Sequence, residues 1–82
     1  MFNMEEPKKG QVYRHFKGKD RIYEVVAVAR NCDNPREKCV VYKMLYDSDE
    51  FLRGTIFSRS LEDFLGFKQI NGEGVKRFTR VK

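Results

Sequence analysis

The sequence predicts a small, mainly β domain with one short helical turn. Its 82 residues include seven Phe and four Tyr but no Trp, and so many aromatic residues favour strands over a small helical bundle. The chain also divides into short strand-forming runs separated by glycine, asparagine or acidic turns, a pattern typical of consecutive antiparallel strands. At this length the chain can hold only one domain with one modest core.

The first two strands are predicted from a glycine-bracketed run and the apolar run that follows it. Residues 11–16 alternate between two faces, and residues 17–20 (KGKD) supply turn chemistry, with Gly18 free to adopt a positive φ. Residues 21–30 form the longest β-rich run, and residues 25–29 (VVAVA) within it are apolar on both faces. We therefore expect a central, strongly curved strand that is buried on both sides.

The middle of the chain is predicted to contain two more strands. The predicted segments are a polar loop at 31–38 (NCDNPREK) with Asn34-Pro35 at its tip, a third strand at 39–46, an acidic turn at 47–50 and a fourth strand at 51–57. Gly54 lies inside the fourth run, where it predicts a bulge or a sharp bend.

The last third of the chain is predicted to add a helical turn and a closing hairpin. Ser60 followed by Asp63 resembles a capping box, which predicts one helical turn over Leu61 to Leu65 that ends at Gly66. The hairpin is predicted from two strand runs around an asparagine–glycine turn: 67–70, Asn71-Gly72 and 75–81.

These elements describe a small SH3-like barrel or roll of five to six antiparallel strands. The alternative is an OB-type barrel, which usually needs more residues and a longer helix between its third and fourth strands. We expect residues 1–9 to form an N-terminal tail and residues 10–82 to form the single domain.

The net charge of +5 is unevenly distributed along the chain. Residues 11–30 carry a net charge of +3 and residues 67–82 carry +4, whereas residues 31–50 carry −2. In a barrel the first and last strands often lie side by side, which would merge the two basic segments into one surface. Such a surface can steer a polyanion to one face of the protein.

Both basic segments also contain aromatic residues, which can stack on unpaired bases while Lys and Arg neutralise phosphates. The candidate binding residues are Tyr13, Arg14, His15, Lys17, Arg59, Lys76, Arg77 and Arg80. They predict a binding module for single-stranded nucleic acid, with RNA as the first candidate. The alternative is an SH3-like peptide-binding module, in which Tyr13, Tyr42, Tyr46 and Phe51 line a groove and the acidic turn favours a basic protein partner.

Catalysis and metal binding find little support in the sequence. His15 is the only histidine, and Cys32 and Cys39 lack zinc-ligand spacing, so we predict neither a metal site nor a cofactor. A Cys32 nucleophile paired with His15 would lack a third, orienting group, and we expect a non-enzymatic protein. The two cysteines are expected to be ordinary thiols, although they could face each other across the mouth of a hairpin. With no membrane-spanning run and no signal peptide, the expected location is the cytosol, with no membrane partner.

Five runs of the sequence resemble a family of short bacterial proteins classed as a domain of unknown function, family 1653. These runs are YRHFKG (13–18), YEVVAVAR (23–30), VVYKMLY (40–46), FSRSLEDF (57–64) and VKRF (75–78). The resemblance covers nearly the whole chain from Gly10 onward, and it implies an SH3-type barrel without an established activity. The family often has His-Ser-Glu where this chain has Asn31-Cys32-Asp33, so chemistry that requires a histidine in that loop is not expected here.

Overall fold

The computed structural model describes residues 6–82, which form a mainly β structure with one short helix. Its elements are β1 (Val12–His15), β2 (Ile22–Asn31), β3 (Asn34–Met44), β4 (Ile56–Ser60), α1 (Leu61–Phe64), β5 (Phe67–Ile70), β6 (Glu73–Lys76) and β7 (Phe78–Arg80). Five strands form an antiparallel sheet in the order β4-β3-β2-β1-β7, and β5 and β6 form a separate hairpin. Within the described part of the chain, β4 and β7 are the edges of an open sheet that does not close into a barrel.

Residues 6–82 contain seven strands, whereas five to six were predicted, because the last predicted strand is divided between the β5–β6 hairpin and β7. Asn71 and Gly72 both have positive φ, 52° and 81°, as a tight asparagine–glycine turn requires, so this predicted turn is confirmed. The predicted strand 75–81 divides at Arg77: Lys76 pairs with Phe67 in the hairpin, whereas β7 pairs with β1. The backbone of Arg77 joins the two sheets, since its N–H donates to the Gly66 carbonyl and its carbonyl accepts from the Phe16 N–H.

Strand β2 lies at the centre of the sheet, as predicted, but the prediction that it is buried on both sides is wrong. Val25 is 1% exposed, whereas Val26 is 36% exposed and Ala27 is also on the surface. The register shifts between Val25 and Ala27, so Val26 is an extra residue in a bulge. A bulge bends a strand and breaks its alternation, which is why an apolar run here does not indicate two buried faces.

The predicted loop 31–38 is also wrong, because β2 and β3 are joined by a two-residue turn at Cys32 and Asp33. The Asn31 side chain accepts a hydrogen bond from the Asp33 N–H at 2.9 Å, which stabilises the turn. Pro35 is tolerated in β3 because residues 35–37 lie outside the regular pairing of the two strands. The polar residues that suggested a loop form the exposed end of a long hairpin.

The fourth strand begins later than predicted, at Ile56 instead of Phe51, and it extends to Ser60. Gly54 lies in the turn before this strand, with φ of 94°, and its N–H donates to the Met44 carbonyl. The expected bulge within the strand is therefore replaced by a turn that leads into it.

Helix α1 follows β4 directly and supplies the centre of the core. The Ser60 hydroxyl accepts a hydrogen bond from the Asp63 N–H at 3.1 Å, so the predicted cap and helical turn are confirmed. Phe64, which is 1% exposed, stacks on Phe78 with ring centroids 4.2 Å apart and meets the Tyr13 ring edge-on at 5.1 Å. The buried core cluster consists of Tyr13, Val25, Val40, Tyr42, Phe64 and Phe78. Aromatic rings from the helix and three strands, together with valines from β2 and β3, thus hold the sheet together on one face.

The described segment ahead of β1 is packed against the domain. Pro7 is fully buried, and Glu6 forms an ion pair with Lys38 at 2.5 Å. The first part of the predicted tail, residues 1–5, lies outside the described residues. In residues 6–82 there is no helix with the length and apolar character needed to cross a membrane.

Candidate nucleic-acid interface

The pairing of β1 with β7 brings the two basic segments of the chain onto one surface. Arg14 lies opposite Thr79, and Tyr13 lies opposite Arg80. Adjacent strands in an antiparallel pair place opposed side chains on the same face of the sheet. The predicted adjacency of the first and last strands is therefore confirmed, although the sheet is open.

A groove of about 640 Å³ lies beside this pair of strands, and we call it the basic groove. Its lining residues are Arg14, His15, Phe16, Gly18, Lys19, Val75, Lys76 and Thr79. Three of them are exposed cations, Arg14, Lys19 and Lys76, and none is acidic. The groove therefore combines positive charge with two aromatic rings, those of His15 and Phe16.

His15 is half-buried at the junction of the groove and the core. Its Nδ1 accepts a hydrogen bond from the Lys17 N–H at 3.2 Å, and its ring lies 4.5 Å from that of Phe16 and 5.0 Å from that of Phe78. Burial, as the larger cause, and nearby positive charges together lower the pKa of His15 from 6.5 to about 4. Those charges belong to Arg59, Lys17, Arg21 and Arg77. At neutral pH the ring is therefore uncharged, which suits it for stacking and for accepting a hydrogen bond.

Three of the predicted arginines make internal contacts. Arg59 is half-buried: its Nε donates to the Tyr42 hydroxyl at 3.3 Å, and its guanidinium lies 5.7 Å from the centre of the Phe78 ring. The Nε of Arg77 donates to the Asp63 carbonyl at 3.2 Å, and that of Arg80 donates to the Lys82 carbonyl at 3.3 Å. These arginines add positive charge beside His15 and Tyr13, but they do not line the groove.

Among the other predicted residues, Lys17 is exposed in the turn after β1, while Tyr13 is only 7% exposed and belongs to the core. Tyr42 is buried as well, so the peptide groove predicted from Tyr13, Tyr42, Tyr46 and Phe51 does not form from these four residues. Phe16 and Lys19 also line the basic groove; they belong to the basic and aromatic segment recognised in the sequence, although they are not among the eight candidate residues. Their position in and before the turn that follows β1 was the available signal.

The two cysteines are free and do not face each other. Cys32 lies exposed in the β2–β3 turn, whereas Cys39 is half-buried and lies opposite Ala29 in the hairpin. His15 lies beside the first residues of β2, whereas Cys32 follows the last residue of β2. These two residues are therefore not brought together as a nucleophile and base. No group of three or more potential metal-ligating side chains is found in residues 6–82.

Comparison with known proteins identifies the family of this chain. The model of a family described as "Protein of unknown function (DUF1653)" matches residues 11–80, which include β1 to β7 and every residue that lines the basic groove. No curated protein and no solved structure matches the chain significantly. The chain belongs to this family, which confirms the resemblance drawn from its sequence.

Proposed function

We propose that this member of the DUF1653 family is a non-enzymatic module that binds single-stranded nucleic acid, RNA foremost, in the basic groove. The observation that carries the proposal is the β1–β7 pairing, which places two basic segments on one surface. The exposed cations Arg14, Lys19 and Lys76 would contact phosphates around a groove without acidic lining residues. Release of counterions from the bound phosphates would supply most of the affinity.

The aromatic side chains of the groove supply the second part of the proposed binding mode. Phe16 and His15 lie next to each other at the groove, so one or two unpaired bases can stack there. Because the His15 ring is uncharged at neutral pH, it can stack on a base without an anionic group beside it. Stacking on a duplex would require the bases to unpair, so single strands are the favoured ligand.

We also propose that the open five-stranded sheet is an SH3-like roll. The long bulged hairpin of β2 and β3, the helical turn after β4 and the return of β7 to β1 support this assignment. An experimental structure with a flat sheet, in which the edge strands β4 and β7 lie far apart, would contradict this assignment. A cytosolic location in a bacterium is likewise proposed, since both thiols are free, and fractionation of the native cells would test it.

The alternative function, a protein- or peptide-interaction module, is favoured by one observation. Strand β4 is an edge of the sheet, and large apolar side chains are exposed in it and just before it: Leu52 is 76% exposed and Ile56 is 53% exposed. An exposed edge strand with apolar side chains can pair with an extended peptide.

The experiment that tests the proposal compares three ligands by fluorescence anisotropy at low salt. They are a short single-stranded RNA, the same sequence as a duplex, and an abasic strand with the same number of phosphates. The proposal predicts the tightest binding to the single-stranded RNA, because only this ligand offers both phosphates and free base faces. Equal binding of the abasic strand would reduce the site to a phosphate-binding surface, and no binding at all would overturn the proposal.

A further inference from the structure

A second cavity, of about 250 Å³, shares no lining residue with the basic groove. Four aromatic side chains line it, and we call them the aromatic cage: Tyr23, Tyr46, Phe51 and Phe57. Strands β2 and β4 supply Tyr23 and Phe57, and the segment between β3 and β4 supplies the other two rings. Because pockets for drug-sized ligands occupy roughly 300–1,000 Å³, this cavity suits a small chemical group.

The rings of the cage stand nearly perpendicular to one another. The Tyr23 and Tyr46 rings are 5.5 Å apart at 82°, and the Phe51 and Phe57 rings are 5.2 Å apart at 90°. The Tyr23 and Phe57 rings, 6.4 Å apart at 76°, link the two pairs. A hydrogen bond of 2.6 Å between the hydroxyls of Tyr23 and Tyr46 fixes one side of the cage. The four rings thus line the cavity at steep angles to one another.

The charged residues at the cage are mostly acidic. Asp49 and Glu50 line the cavity, and within residues 6–82 neither side chain forms an ion pair or a hydrogen bond. Arg21 also lines the cavity and is exposed, so the cage has two carboxylates and one cation. Phe51, at 44% exposed, contributes an aromatic surface that is not part of the buried core cluster.

We propose that the aromatic cage binds a trimethylammonium-type cation, carried either by a methylated lysine of a protein or by a choline-like small molecule. Ring faces attract such a cation electrostatically, and a quaternary ammonium needs no hydrogen-bond acceptor. The carboxylates of Asp49 and Glu50 add attraction at the rim and disfavour phosphates, so this ligand differs from that of the basic groove. Arg21 opposes the ligand by repulsion between like charges.

The test titrates the isotopically labelled full chain with choline and, separately, with its neutral isostere 3,3-dimethylbutan-1-ol. Amide and aromatic-ring chemical shifts report binding, and sodium chloride at matched ionic strength controls for salt effects. Three variants are compared with the wild type: Phe51→Leu, Glu50→Gln and Arg21→Gln. All three positions are exposed or at the rim, so these substitutions leave the buried core unchanged.

We expect choline to shift the signals of the cage residues and the isostere to leave them nearly unchanged. Phe51→Leu should weaken choline binding by about fivefold, because one cation–π contact is lost. Glu50→Gln should weaken binding by about twofold to fivefold, and Arg21→Gln should strengthen it by a similar factor. Stronger binding is a result that a merely damaged fold would not give.

Equal shifts with the isostere, or no shifts with choline, would overturn the proposal. A further titration with a trimethyl-lysine peptide distinguishes the two sources of the cation. Tighter binding of the peptide than of choline would assign the site to a protein partner, and equal binding would assign it to the small molecule. Because the two sites share no lining residue, this outcome is independent of whether the basic groove binds RNA.

Discussion

Neutralising the three exposed cations of the basic groove should lower the salt dependence of RNA binding. The variant carries Arg14→Gln, Lys19→Gln and Lys76→Gln together. Each phosphate contact on a single strand contributes about 0.7 to the slope of log affinity against log salt concentration. The loss of three contacts should therefore reduce this slope by about 2.

This change in slope corresponds to a large difference in measured affinity. Raising the salt concentration about fourfold, from about 50 to about 200 mM, should weaken wild-type binding by nearly 20-fold more than it weakens binding by the variant. The assay is fluorescence anisotropy with a short single-stranded RNA at four or more salt concentrations. Urea unfolding of both proteins checks that the substitutions leave stability within about 1 kcal/mol, as expected for surface positions.

A matched control carries the same change in net charge away from the groove, in Lys9→Gln, Arg36→Gln and Arg53→Gln. All three positions are exposed, and none lines the basic groove. If binding depends on the groove, the control keeps nearly the wild-type slope. Equal slopes for the control and the groove variant would refute the reasoning, because net charge alone would then account for binding.

Three further predictions concern the folded state. Phe64→Ala should lower the free energy of unfolding by about 3–5 kcal/mol in urea titrations, whereas Phe67→Ala, at a position 57% exposed, should cost less than about 1 kcal/mol. Gly72→Ala should cost about 1–2 kcal/mol, since φ at this position is 81°; a neutral effect would contradict the turn geometry. Because the pKa of His15 is lowered from 6.5 to about 4, the unfolded chain binds the proton first and stability falls as pH drops through this range. The free energy of unfolding, measured by urea titration at pH 7 and at pH 4, should fall by about 1 kcal/mol, since the side chain is partly solvated. This fall should be absent in His15→Gln.

Features encoded by neighbouring residues could be predicted from the sequence. The Asn71-Gly72 turn and the Ser60 cap depend on residues within four positions of each other, and both form as expected. The extra residue Val26 could not be predicted, because a bulge is defined by the partner strand and not by the run that contains it. The same holds for residues 31–38, whose exposed hairpin end carries no alternation to distinguish it from a loop.

The positive charge of the candidate site could be predicted from the sequence, but the side chains that line the basic groove could not. The two basic segments and their merging through β1 and β7 followed from charge and from the expected order of strands. Which basic side chains line the groove depends on contacts between distant elements, as when Arg59 turns to the Tyr42 hydroxyl and the Phe78 ring. Tyr13 illustrates the same limit, since an aromatic residue in a β-strand suits a core and a binding surface equally well.

The most direct test of the proposed function is an amide chemical-shift titration of the labelled full chain with a short single-stranded RNA. We predict that the largest shifts fall on residues 14–19 and 76–80, on either side of the basic groove, and that they fade as salt is added. A flat response at low salt, or shifts confined to residues 51–57 near the edge strand β4, would contradict the account.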